Sequence, residues 1–339
     1  MIEYTKQTSL TIGDPKIYGD NEFFINNTLN RPALKNNVYK AYCFSAEFAG
    51  LDQQNKIILE NKKLSEMDVH SISASKNYLI KQSLPSRINS SSIAFLYVPD
   101  NIKDIYGHWL IDVIPRLILA RKLFFEYEIK IIFNGEVKNF AKTICDKFGF
   151  NDDSFVTLNS LQKGVQYNFL DLSPSREHDY FNHFLFNLQL KETPKVSVKL
   201  DNIETKIYIS RSNWRSNYYT ENSRALINRE EVEAIFSSAG FSIIHPEEYE
   251  IDQQIAFFSN ANVIAGEAGS GMHNSIFSGS SKKIINIQSG RQNHLIQASL
   301  CKVCNQNIAY ILGDPSTNEW NSNYSVSIKF IEEALKDFI

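Results

Sequence analysis

Between residues 206 and 312, short apolar runs alternate with longer stretches of helical period, and this constrains the fold more than any other feature of the chain. Lys206–Ser210, Phe241–Ile244, Ala261–Gly266, Lys283–Gln288 and Ile308–Leu312 read as strands. Between them, Val232, Ile235 and Phe236 fall on one helical face, and Ile251–Ser259, Ser270–Phe277 and Asn293–Val303 read as further helices. Asn228 with Glu231 three residues on has the spacing of a capping box, and Gly240 closes that helix. Strands and helices alternating at this interval imply a parallel sheet covered on both faces.

A similar alternation occupies residues 93–190. Ile93–Val98, Ile129–Phe133, Phe155–Leu158 and Val165–Leu172 read as strands; Gly107–Phe125, Val137–Phe148 and Glu177–Leu190 read as helices, the first bent at Pro115. Residues 1–90 give only short strand signals, such as Lys56–Glu60 and Asn77–Lys81. Lys191–Asp201 has the composition of a linker. The expected division is a first α/β domain over 1–195 with a β-rich start over 1–90, and a second over 196–312. In residues 313–339, the final helix Ser327–Phe338 is expected to pack back on the first domain.

Composition narrows the classes of function. Apolar residues make up 43% of the 339, enough for packed cores. A net charge of −3 lacks the basic excess of a nucleic-acid binder, so no nucleic-acid partner is expected. Four cysteines in this length are not a disulfide scaffold. Cys301 and Cys304 form a C-x-x-C without further zinc ligands nearby, and ordinary apolar thiols are expected there. Met1–Leu10 is polar and does not read as a secretory signal. The apolar segment Trp109–Ala120 carries Asp112, Pro115 and Arg116 and is too short to span a bilayer. A cytoplasmic protein is expected, and attachment at the inner face of the membrane is compatible with this.

Three groups of residues could carry chemistry. His108 and Asp112, four apart, share a face of the first helix and could act as a general base and its partner; a local His–Asp hydrogen bond would leave the same spacing. Arg211 directly follows a predicted parallel strand, where guanidinium groups meet phosphate oxygens, and Arg215 and Arg224 lie downstream. A surface arginine is the plain alternative. The turn Gly266-Glu267-Ala268-Gly269-Ser270-Gly271-Met272-His273-Asn274 brings a strand into a helix and suits a bound anion. Its glycine spacing is not that of the dinucleotide fingerprint, and it has no P-loop lysine. Glu267 could accept from sugar hydroxyls, and His273 could reach a phosphate or be a satisfied structural histidine. No two aspartates in the chain are separated by one residue, so the Asp-x-Asp by which many sugar transferases hold a metal is missing. The nearest substitute is Asp152-Asp153.

In this order, these pieces resemble glycosyltransferase family 61, which includes bacterial capsular-polysaccharide enzymes. The matching residues are His108-Trp109-Leu110 with Asp112, Pro115 and Arg116; Tyr208-Ile209-Ser210-Arg211; Arg224 with Asn228 and Glu231; Gly240-Phe241 with Pro246; Gln254-Ile255 with Ala261; and Gly266–Asn274 followed by Ile284–Ile287. Where the family often has histidine before the Gly-Ser/Ala-Gly turn, this chain has Ala268. The resemblance implies a GT-B-like architecture, two Rossmann-like domains facing a cleft, with the donor held mainly by the second. It also implies inverting transfer from a nucleotide-sugar, a UDP-sugar being the first expectation, to a hydroxyl of a growing surface glycan such as a capsule or O-antigen. No cofactor and no metal are expected. The donor site would comprise Arg211, Arg215, Glu267, Gly269, Ser270, Gly271, Met272, His273 and Asn274, with Asp112 as base and His108 orienting it or the acceptor. Partners would be the nucleotide-sugar and the glycan acceptor, with peripheral association either with the inner membrane or with a polysaccharide assembly complex. Two other readings stay open: a non-catalytic glycan- or nucleotide-binding member of such a complex, and another nucleotide-using α/β enzyme.

Overall fold

The computed structural model describes residues 2–6, 15–19, 22–24, 26, 38–51, 57–59, 62–63, 92–172, 176–177, 180–181, 183–194, 196, 198, 205–211 and 224–339. They form two compact units, one of Met1–Ser9 with Lys35–Pro194, the other of Leu10–Leu34 with Lys195–Ile339. Both are α/β.

In the first unit, the strands Gln166–Leu172, Ile93–Tyr97, Glu128–Phe133 and Phe155–Thr157 run parallel and adjacent in that order. The long strand Val38–Leu51 pairs antiparallel with Gln166–Leu172 and carries Ile2–Lys6 and Ile57–Leu59 as antiparallel neighbours. Phe95, Tyr97, Ile132, Leu158 and Phe169 are buried together on this sheet. Each such side chain contributes about 1.5–3 kcal/mol by leaving water. The helix expected over Glu177–Leu190 begins only at His183, because Arg176–Glu177 and Tyr180–Phe181 pair as a short hairpin first. Asn77–Lys81 lies outside the described residues.

The segment expected as one helix over Gly107–Phe125 has three parts: Tyr106–His108, a wide π-type turn at Trp109–Val113, and an α-helix at Ile114–Leu123. Pro115 accounts for the wide turn. In it, Ile114 N–H reaches Trp109 O, five residues back. The matching partner for Leu110 O would be the N–H of residue 115, which proline lacks. Gln189 Nε2 supplies it instead, at 2.9 Å. The proline therefore reshapes the helix upstream of itself, where Asp112 sits.

The second unit is a sheet in the order Ser242–Ile244, Lys206–Ile209, Val263–Glu267, Lys283–Ser289, Asn307–Pro315, all parallel. Helices Arg229–Ser238, Ile251–Asn260 and Ile296–Val303 and the 3₁₀ helix Ser270–Ser278 link the strands. Two departures from the expected division occur here. Lys16–Tyr18, near the chain start, adds a parallel edge strand beside Ala309–Ile311. The last helix, Ile328–Phe338, expected to pack on the first domain, belongs to this second unit. Its stripe Ile331, Ala334 and Phe338 is buried in one cluster with Ile285, Ile287, Ala309 and Ile311 of this sheet. A parallel sheet must be covered on both faces, and this amphipathic helix covers its own unit's sheet.

Asn228 also departs from expectation. It makes no side-chain cap; its amide donates to Val326 O at 2.9 Å and its Oδ1 accepts from Val326 N–H at 3.0 Å, tying the start of the helix to the chain ahead of the last one. Cys301 and Cys304 are unpaired and buried; burial pushes the Cys304 thiol up to about 12 and that of Cys301 well above its ordinary value.

Candidate functional site: an arginine-lined turn at the ends of parallel strands

Neighbouring strands of the second unit end side by side. Ile209 stands opposite Gly266, and Gly266 opposite Asn286. This crowding explains the first glycine of the turn. A Cβ at 266 would lie 2.6 Å from Ile209 O, 2.8 Å from Ile209 Cβ and 2.9 Å from Met272 Sδ, so only glycine fits. Gly269 serves a different purpose, since a Cβ there would meet the Arg211 guanidinium carbon at 3.1 Å. Missing side chains thus bring the turn's backbone against Arg211.

Arg211 is held in this place. Its Nη1 donates to Ala268 O at 2.6 Å, and Ala268 N–H donates to Ile287 O at 2.8 Å. Position 268 contributes its backbone to Arg211, which a histidine or an alanine supplies equally well. Burial lowers the Arg211 pKa, and Glu267 opposes that shift. Ser210 anchors the strand end: its hydroxyl donates to Glu233 Oε1 at 2.6 Å and its N–H to Ile244 O at 2.9 Å. Beyond the turn, the first internal bond of the 3₁₀ helix Ser270–Ser278 is Met272 N–H to Gly269 O at 3.1 Å, so the N–H groups of Ser270 and Gly271 precede the helix's own bonding. Aligned peptide dipoles make that end about half a positive charge.

Other residues of the expected donor site support the turn from beneath. Glu267 is 1% exposed, and Arg229 grips it with two hydrogen bonds, Nε to Oε1 at 2.7 Å and Nη2 to Oε2 at 3.1 Å. Met272 and Asn274 are fully buried; Asn274 Nδ2 donates to Gln254 Oε1 at 3.1 Å, and Gln254 Nε2 in turn donates to Pro246 O and Tyr249 O. His273 Nδ1 lies 3.3 Å from Gln297 Oε1. Arg211, Gly269, Ser270, Gly271 and His273 are therefore brought together at the strand ends with partial exposure, whereas Glu267, Met272 and Asn274 form the floor. Arg215 lies outside the described residues.

Sequence reasoning missed Arg229 and underweighted Arg224. Arg229 could have been found by asking what neutralises a carboxylate at the end of a buried parallel strand. Arg224 has a left-handed backbone, φ +55°, and its N–H donates to Asn321 O. Burial first, and then the positive charge of Arg211, lowers its pKa to about 10. Arginines that repel one another favour an anion between them.

In the first unit, His108 and Asp112 meet as their spacing suggested. His108 Nδ1 lies 2.5 Å from Asp112 Oδ2. The Asp112 side chain is fully buried, whereas that of His108 is 15% exposed. Arg116, itself buried, donates from Nε to Asp112 O at 2.8 Å. The pair is thus a partly exposed imidazole backed by a buried carboxylate, an arrangement in which a carboxylate fixes the tautomer of a histidine. Asp152 faces Lys142 at 3.3 Å, and among the described residues no three His, Cys, Asp or Glu side chains gather as a metal site. No helix among the described residues is long and apolar enough to cross a membrane.

The model of the family described as Glycosyltransferase 61 matches residues 106–285, just over half of the chain, from the helix that carries His108 to the strand behind the glycine turn. No match was found among curated proteins. Both groups of residues just described fall within the matched stretch, and the chain belongs to glycosyltransferase family 61, a family of glycosyl-transferring enzymes.

Proposed function

We propose that this protein transfers a sugar, with inversion, from a nucleoside-diphosphate sugar to a hydroxyl of a surface glycan. The observation that carries the donor half is Arg211, fixed by Ala268 O against the glycine turn and beside the start of the Ser270–Ser278 helix. When the bond from the sugar C1 to the diphosphate breaks, negative charge grows on the leaving oxygen. A fixed guanidinium and a helix start stabilise such charge without reorganising. Arginine keeps its charge through the physiological range, so this needs no metal.

The acceptor hydroxyl must lose a proton as it attacks C1. We assign that proton to His108, the partly exposed member of its pair, with buried Asp112 holding the ring. This exchanges the roles of the expectation that had Asp112 as base, because a carboxylate that is fully buried and bonded to its partner does not meet an acceptor. A GT-B-like pair of Rossmann-like units, with the donor held by the second, belongs to the same proposal. Glu267 acts through Arg229 as a positioning residue. A capsule- or O-antigen-type acceptor, reached at the inner face of the membrane, belongs to the same proposal.

The test is a panel of nucleoside diphosphates in a thermal-unfolding assay. The cognate one, at 100 times its Kd, should stabilise the protein by about 2.7 kcal/mol. Arg211→Ala should weaken its binding by about 1.5–3 kcal/mol, the range for a hydrogen bond to a charged group. Unchanged affinity in a folded Arg211→Ala protein would overturn the donor assignment.

A further inference from the structure

Beyond the family-matched stretch, the loop after the last parallel strand carries Trp320, whose ring is 40% exposed. The Arg224 guanidinium carbon lies 5.0 Å from the centre of that ring. The His294 ring meets it edge-on, with centroids 5.0 Å apart and planes at 85°. An exposed indole held from two directions differs from a stray surface aromatic, because its orientation is fixed before any ligand arrives.

The frame around it is stiff. Ser316 N–H donates to Asn323 O at 2.8 Å, Thr317 N–H to Ser322 Oγ at 2.9 Å, and Arg291 Nη2 to Asn318 Oδ1 at 2.9 Å. Arg224 N–H donates to Asn321 O at 2.9 Å, which holds Arg224 in its left-handed conformation next to the tryptophan. Asp314 and Pro315 pair with Ser325 and Tyr324, closing the loop as a hairpin.

Trp320 follows Asn307–Pro315, and the glycine turn follows Val263–Glu267; one strand, Lys283–Ser289, lies between them. By register Glu267 is level with Ile287 and Ile311, two strand spacings or about 10 Å across the sheet, and Asn307–Pro315 then runs four residues further toward the loop of Trp320. The electrostatic influence of Arg211 on Arg224 ties the two places together. A nucleoside diphosphate carries an aromatic base and a phosphate chain at opposite ends of its ribose, so one molecule offers a partner to each of two places along this edge. A sugar has no aromatic face to match the indole, and a free phosphate has nothing to place on it.

We propose that Trp320, positioned by Arg224 and His294, is the stacking platform for the nucleobase of the donor, while the turn at 269–271 and Arg211 take its diphosphate. This rests on the nucleotide-sugar reading above. It adds a subsite formed by residues 294 and 320, both outside the matched stretch.

The experiment compares calorimetric binding of uridine, guanosine, adenosine, cytidine and thymidine diphosphates and of inorganic pyrophosphate to the wild type, Trp320→Ala, Trp320→Phe and Arg211→Ala. For the nucleotide that the wild type binds, Trp320→Ala should bind roughly tenfold to a hundredfold more weakly, the span of stacking losses on truncating an aromatic side chain. Pyrophosphate affinity should stay unchanged in that variant, and Trp320→Phe should recover most of the nucleotide affinity. Arg211→Ala should lose affinity for both ligands. Wild-type nucleotide affinity in Trp320→Ala, with the Arg211→Ala loss intact, overturns the platform and leaves the donor site standing. An equal loss of nucleotide and pyrophosphate in Trp320→Ala also overturns it, since the ring would then support the turn and not the base. Failure of the wild type to bind any nucleotide of the panel overturns the nucleotide-sugar reading and the platform with it.

Discussion

Replacing Glu267 by glutamine should separate a ligand-binding carboxylate from one that holds the site in shape. The carboxylate is 1% exposed and Arg229 only 9%, so water does little to screen the pair. It accepts two hydrogen bonds from the guanidinium, at 2.7 and 3.1 Å. At about 1.5–3 kcal/mol each for hydrogen bonds to charged groups, these amount to about 3–6 kcal/mol. The glutamine amide keeps one acceptor and leaves Arg229 charged and uncompensated, so Glu267→Gln should destabilise by about 3–5 kcal/mol. Arg229→Leu should cost a similar amount. The double variant Glu267→Leu/Arg229→Leu should return to within about 1–2 kcal/mol of the wild type, because removing both charges avoids the buried unpaired one. Urea unfolding followed by circular dichroism gives all three values. If Glu267→Gln unfolds like the wild type but no longer binds nucleotide, Glu267 contacts the donor and the reasoning from the Arg229 fork fails.

Gly266→Ala should destabilise by about 1–3 kcal/mol or more, since its Cβ would press on Ile209 backbone at 2.6 Å, whereas Gly271→Ala, nearest the Ile209 Cγ2 at 3.2 Å, should cost distinctly less in the same unfolding assay. Asp112→Asn keeps the shape and weakens the hold on His108, so single-turnover transfer should fall at least ~10²-fold while nucleotide affinity is retained; near wild-type transfer would remove the pair from the mechanism. Gln189→Leu leaves Leu110 O without its donor and should cost about 1–3 kcal/mol. The cost should shrink in a Pro115→Ala background, where residue 115 regains an N–H, and a double-mutant cycle with no coupling would refute the proline explanation of the wide turn.

The strands and helices of 206–312 were legible because a doubly covered parallel sheet needs nearly continuous apolar runs, and Ile207–Ile209, Val263–Ala265 and Ile284–Ile287 are such runs. The pairing of His108 with Asp112 was legible for the same kind of reason: helical spacing brings positions four apart together. What spacing could not give was depth. Nothing local distinguishes the buried carboxylate from the partly exposed imidazole, and that difference in depth is what our proposal of His108 as base uses. Glu267 looked like a ligand contact because its partner, Arg229, lies 38 residues away in the chain. The final helix was placed on the wrong unit because its stripe of Ile331, Ala334 and Phe338 shows that a face must be covered without showing which sheet covers it. Asn228 had the spacing of a capping box, yet the long-range bonds to Val326 took its side chain. Lys16–Tyr18 joined the second sheet for a similar reason, since three residues carry no sign of a partner nearly 300 positions away.

The central claim is that this chain moves a sugar from a nucleotide without a metal. It is tested most directly by incubating the purified protein with a panel of nucleotide-sugars in excess EDTA and following release of the nucleoside diphosphate and the anomeric configuration of the sugar by NMR. The account predicts slow hydrolysis of one donor with inversion at C1, undiminished by EDTA and lost in Arg211→Ala. Nucleotide binding without turnover of any donor would mark a non-catalytic member, and activity abolished by EDTA and restored by Mn²⁺ or Mg²⁺ would contradict the arginine-and-helix account of the leaving group.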